Sequence, residues 1–224
     1  MGGVEYRLYG GTIYLDLPGS STGRFKVEDL AVPYLVGGRL LWETPLPGLR
    51  LGGSVQDLRL DYRFSGASLA GNPGAPGGVA TAQIPALLWV GSFEYAGDEV
   101  LLAAEYSRWT VDVDSSVPDV VPSTSTVSER FYVMGAYRIS NWLTPGAYYS
   151  ALFPNQEIRK GRQAYQHDIA LSLRFDVNTH WLFKLEGHYM RGTADLTPAL
   201  NGGVALTALE KNWAVFLAKT TVHF

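Results

Sequence analysis

Apolar and polar residues alternate with a period of two through nearly every apolar segment of this chain, and the 3.6-residue period of an amphipathic helix is scarce. In "HDIALSLRF", Ile169, Leu171, Leu173 and Phe175 share one face, while Asp168, Ser172 and Arg174 share the other. In "THWLFKLEGHYM", Trp181, Phe183, Leu185 and Tyr189 oppose Lys184, Glu186 and His188. The same rhythm sets Phe131, Val133, Tyr137 and Ile139 against Arg130, Met134 and Arg138. It sets Leu87, Trp89, Phe93 and Tyr95 against Val90, Ser92 and Glu94, and Tyr34, Val36, Leu40 and Trp42 against Arg39 and Glu43. The final stretch, "KNWAVFLAKTTVHF", places Phe216, Ala218, Thr220 and Val222 on one face and Leu217 and Lys219 on the other, and ends in Phe224. Each pattern predicts a β-strand with one apolar and one mixed face.

One segment changes parity. In "LRLGGSVQDLRLDYRF", Leu49, Leu51 and Val55 share one face, but Leu58, Leu60, Tyr62 and Phe64 share the other. The expectation is either a bulge near Gln56–Asp57 or a strand that leaves an apolar environment there.

Connections alternate as strictly as side chains. Four are short: "TPLPG", "YAGDE", "ISNW" and "DVNTH". Between them come long ones: 16–33, "SGASLAGNPGAPGGVATA", "VDSSVPDVVPSTSTVSE", "PNQEIRKGRQ" and "GTADLTPALNGGVALTALE". Counting gives about ten strands, each long enough for the roughly 9–11 tilted residues that cross a bilayer. Together these features predict an all-β, antiparallel up-and-down transmembrane β-barrel, with short periplasmic turns and long external loops, forming a single domain over 1–224.

Composition sharpens this. Thirteen tyrosines and six tryptophans are more than a compact soluble core of 224 residues usually requires. Both ring types favour boundaries that are apolar on one side and wet on the other. The rings near strand ends, Trp42, Trp89, Tyr95, Tyr137, Tyr149, Trp181 and Tyr189, are therefore assigned to membrane girdles. No run of about 18 apolar residues exists, so a transmembrane helix is excluded. With no cysteine there is no disulfide and no thiolate metal site. A net charge of −3 gives no electrostatic ground for nucleic acid. The opening residues lack the pattern of a secretory signal.

The terminal strand "NWAVFLAKTTVHF" resembles that of Gram-negative outer-membrane β-barrels. The resemblance implies that Phe224 is read by the barrel-assembly machinery, and that the protein resides in the bacterial outer membrane beside lipid and lipopolysaccharide. The girdled hairpins resemble porins, whose habit is the trimer. Ten strands would leave a narrower lumen than the sixteen or eighteen of a diffusion porin. The chain is thus expected to be a small barrel or the C-terminal part of a larger one. No loop of the sequence is identifiable as a folded-in constriction.

By the alternation, Arg39, Glu43, Glu94, Glu105, Arg138, Asp168, Arg174, Lys184, Glu186 and Lys219 point into the lumen, where acids and bases would select polar solutes or simply pair with each other. Arg159, Lys160 and Arg162 form a basic loop suited to anions or to outer-leaflet phosphates, or only to solvent. Asp168, Ser172 and His188 share a face and are the one set that could suggest a hydrolase, though no nucleophile motif accompanies them. The four histidines have no metal-ligand spacing, and no cofactor is expected. The expected function is passive diffusion of small hydrophilic solutes or ions. The alternatives are a non-conducting adhesin or anchor acting through its loops, and, more remotely, a barrel hydrolase.

Overall fold

A computed structural model describes residues 2–15, 21–22 and 25–223. Its strands are β1 (Val4–Leu15), a two-residue β2 (Ser21–Thr22), β3 (Phe25–Glu43), β4 (Leu49–Ser65), β5 (Val79–Ala96) and β6 (Val100–Ser115), followed by β7 (Thr124–Tyr137), β8 (Leu143–Phe153), β9 (Gln166–Asn178), β10 (Trp181–Gly192) and β11 (Asn212–Val222). The ten long strands form one antiparallel sheet in chain order, with β2 pairing only to β3. The architecture is all-β and up-and-down. β1 and β11 are its two ends and are not hydrogen-bonded to each other among the described residues.

Short and long connections alternate around the sheet as the sequence implied. Three are longer in expectation than in fact: 25–33 belong to β3, 79–82 to β5 and 124–129 to β7. The tight turn between β3 and β4 needs Gly48, whose φ of 80° and closeness to the Ala96 carbonyl leave no room for a Cβ.

The parity switch in β4 is not a bulge. β4 pairs with β5 in unbroken register from Leu49↔Tyr95 to Ser65↔Val79. The irregularities sit in β3 instead, between Val27 and Asp29 and between Ala31 and Tyr34, around Pro33, which cannot donate to the ladder. The switch therefore marks a change of surroundings. Up to Val55 one face of β4 is apolar and exposed; beyond it the same face carries Asp57, Arg59, Asp61 and Arg63.

On the opposite face of that extension the connections 66–78 and 116–123 pack down. Phe64, Leu69, Ala75, Ala80, Ala82 and Val117 form a buried core, flanked by Phe25, Tyr62, Val120 and Val121. Phe64 stacks on Tyr62 at 5.2 Å and meets Phe25 edge-on at 5.1 Å. Burying a phenylalanine contributes about 1.5–3 kcal/mol, enough to hold these loops against the strands. β3 to β6 run to 16–19 residues for this reason. Two connections thus fold over the polar-parity face of the extension.

Candidate functional site

Register sorts the side chains of the band below the extension into two faces. One face is apolar and largely exposed: Val36, Leu40, Val55, Leu87, Phe93, Val133, Ile169, Leu171 and Phe216 all stand on it. The rings named above share this face and resolve into two rows. Trp42, Tyr95, Tyr137 and Trp181 sit beside the short turns, and Trp89, Tyr149 and Tyr189 sit toward the long connections. Tyr106, not singled out by the sequence, joins the second row by packing against Trp89 at 5.2 Å. Trp142 joins the first by stacking on Phe175.

The other face is polar, and its charges are unevenly distributed. Glu43, Glu94 and Glu105 stand on β3, β5 and β6. Arg50, on β4 between the first two, is 3.1 Å from Glu43 and 3.7 Å from Glu94. Arg174, Lys184 and Lys219 stand on β9, β10 and β11, with Lys184 directly opposite both of the others. Arg39 is directly opposite Arg7. Of the ten residues assigned to the lumen, all but Arg138 lie on this face within strands, with Asp168 and Glu186 standing among the bases of β9 and β10. Arg138 falls just past the end of β7, where its backbone N–H donates to the Glu99 carbonyl. It borders the same cavity as Arg174 and Lys184, about 280 Å³ in volume.

Several carboxylates neutralise bases along their own strand: Asp176 lies 2.6 Å from Arg174, and Glu186 lies 2.8 Å from Lys184. Arg130, which the alternation also placed here, reaches Asp195 in the β10–β11 connection at 3.2 Å.

A second cleft of about 330 Å³ is lined by Tyr148, Asp168, Ser172, Lys184, Glu186 and His188, among others. His188 Nδ1 lies 3.0 Å from Asp168 Oδ2 and 3.1 Å from Oδ1. Its Nε2 is buried without a partner, and no hydrogen bond links it to Ser172. The Asp–His half of the suspected hydrolytic set is formed, and the nucleophile is not engaged. Among the described residues, no cluster of His, Asp and Glu could hold a metal ion.

The basic loop is largely committed to structure. Arg159 lies 2.7 Å from Glu129 and over the Phe153 ring at 4.0 Å, and Arg162 donates to the Leu209 carbonyl. Neither is free to serve anions as the sequence suggested; Lys160 is exposed. Phe224 lies outside the described residues.

No protein-family model matches the sequence, and no curated protein matches it. Solved structures do resemble it. A rhombohedral crystal structure of the NanC porin is 10% identical, with 85% of this chain and 94% of that chain covered at a TM-score of 0.43. The Pseudomonas putida toluene transporter TodX is also 10% identical, with 97% of this chain and 69% of that chain covered at a TM-score of 0.42. One is a porin, the other a transporter.

Proposed function

We propose that this chain is a porin-like β-barrel domain of a bacterial outer membrane, passing small hydrophilic solutes or ions by diffusion with no chemical step. The observation that carries this reading is the segregation of faces by register. An exposed apolar band, bordered by two rows of tyrosine and tryptophan, backs a face whose charges lie across strands from one another. In water such a band would be an aggregation surface; in lipid it is the required exterior. The polar face then lines the lumen, and the long connections lie outside the cell. Acids and bases both stand on this face, and a solute crossing the lumen would be oriented among them by its own charges. Lipid and lipopolysaccharide would surround the band, Phe224 would address the chain to the assembly machinery, and a trimer is the oligomer expected by resemblance to porins.

A second reading, a non-conducting barrel acting as adhesin or anchor, is favoured by the core that pins connections 66–78 and 116–123 over the polar-parity face. Single-channel recording of the refolded protein in a planar bilayer under a salt gradient separates the two. Stepwise conductance supports the pore, and insertion without conductance overturns it.

A further inference from the structure

Arg174, Lys184 and Lys219 form a row across β9, β10 and β11, each directly opposite the next on the polar face. Arg7 and Arg39 form a similar pair across β1 and β3. Like charges directly opposite one another destabilise a sheet, so two such rows need a reason. Their neutralisation is incomplete. Glu5, Asp176 and Glu186 each contact one base of their own strand, whereas Arg39 and Lys219 have no ion pair among the described residues. The five bases outnumber these three carboxylates by two. Arg7, Arg174 and Lys184 also keep substantial exposure, with side chains 68%, 50% and 36% accessible, so each retains donors for a ligand.

The two rows stand at the two ends of the sheet. β1 begins and β11 finishes on the short-turn side: Val4 is opposite Trp42, and Val222 is opposite Trp181. The two strands therefore run antiparallel to each other, and among the described residues each has one unpaired edge. Within a bilayer an unpaired strand edge is not tolerated, because its N–H and C=O groups have no water to bond. Pairing β1 with β11 satisfies both edges. It also sets Lys219 on the same face as Arg7, on the neighbouring strand.

We propose that β1 and β11 pair, and that this joins the two rows into one basic belt, Arg174, Lys184, Lys219, Arg7 and Arg39, that binds small oxyanions: solutes bearing carboxylate or phosphate groups. The proposal rests on the pore reading and names the solute class of that pore. The electrostatic cost of the like-charge rows is offset when an anion lies between them. Small oxyanions would bind in transit, weakly enough to leave.

Two experiments test it. Because the chain lacks cysteine, pairs can be introduced cleanly. Tyr9→Cys is combined in turn with Leu217→Cys, Lys219→Cys and Thr221→Cys, all polar-face positions. A disulfide in one of the three combinations, in folded protein, is expected; none in any combination overturns the closure. In planar bilayers, inorganic phosphate is expected to block chloride current through the unaltered pore. The double variant Lys184→Gln/Lys219→Gln is expected to weaken that block by roughly tenfold. It should also shift the reversal potential toward cation selectivity, while Glu94→Gln shifts it the other way. Conductance that is indifferent to phosphate, or a double variant that behaves like the unaltered pore, overturns the belt and leaves the pore standing. A protein that inserts and never conducts overturns the pore reading itself. Because the row is strained, the double variant is expected to fold at least as stably as the parent, judged by its urea midpoint; a lower midpoint counts against the belt.

Discussion

His188 turns its Nδ1 to Asp168 at 3.0 Å and leaves Nε2 buried and unpartnered in a cleft that Ser172, Tyr148 and Lys184 also line. A carboxylate at Nδ1 requires that Nδ1 carry a proton. That is half of a catalytic triad by geometry and a lumenal hydrogen-bond pair by context. His188→Ala is expected to keep full single-channel conductance. Asp168→Asn is expected to cost about 1–2 kcal/mol, the loss of a partly exposed charge-assisted hydrogen bond, read from the urea midpoint in detergent.

The Phe64 core ties two connections to the extension above the apolar band. Phe64→Ala is expected to destabilise that region by about 3–4 kcal/mol. Because it lies apart from the band, the loss should be local. Limited proteolysis should then cut within 66–78 and 116–123, while the band stays protected and the folded electrophoretic mobility survives.

Glu28 lies in the same extension, and its carboxyl is held below the usual carboxylate range by the Ser65 hydroxyl first and by Lys26 second. A depressed folded value means these contacts add stability above the unfolded value, and that the contribution is lost as pH falls through the folded one. Ser65→Ala should raise the Glu28 value toward normal, and a carboxyl-detected NMR titration reads this directly. No rise would place the cause elsewhere.

Gly192 closes β10 with φ of 103°, and a Cβ there would strike the Tyr165 carbonyl. Beside it Thr193 is fully buried and donates to the Leu206 carbonyl. Gly192→Ala combines backbone strain with a clash and is expected to cost about 2 kcal/mol or more. Loosening of the β10–β11 connection, measured by hydrogen exchange, should accompany it.

Deleting Phe224 is expected to lower the amount of protein assembled into membranes in cells, yet to leave refolding of the purified chain in detergent unchanged. Equal loss in both would make the residue a structural anchor rather than an address.

Alternation alone determined which residues share a face. Side chains along a strand switch sides at every step whatever the partner strand is, so Trp42, Glu94, Lys184 and Phe216 could be sorted before any pairing was known. The gaps between alternating segments likewise located the four short connections. Tertiary structure decided whatever depends on register, which no single strand encodes. That Lys184 stands against Lys219, that Arg50 bridges Glu43 and Glu94, and that His188 takes Asp168 rather than Ser172 are facts about two strands at once. It also decided the meaning of the parity switch in β4. The sequence showed Leu58, Leu60, Tyr62 and Phe64 changing sides, but the connection that follows β4 and another about 50 residues further on had to fold over that face before the change became a buried core. Arg159 and Arg162 read as free charges for the same reason: Glu129 and the Leu209 carbonyl, which occupy them, are about 30 and 47 residues away, and only packing brings them near.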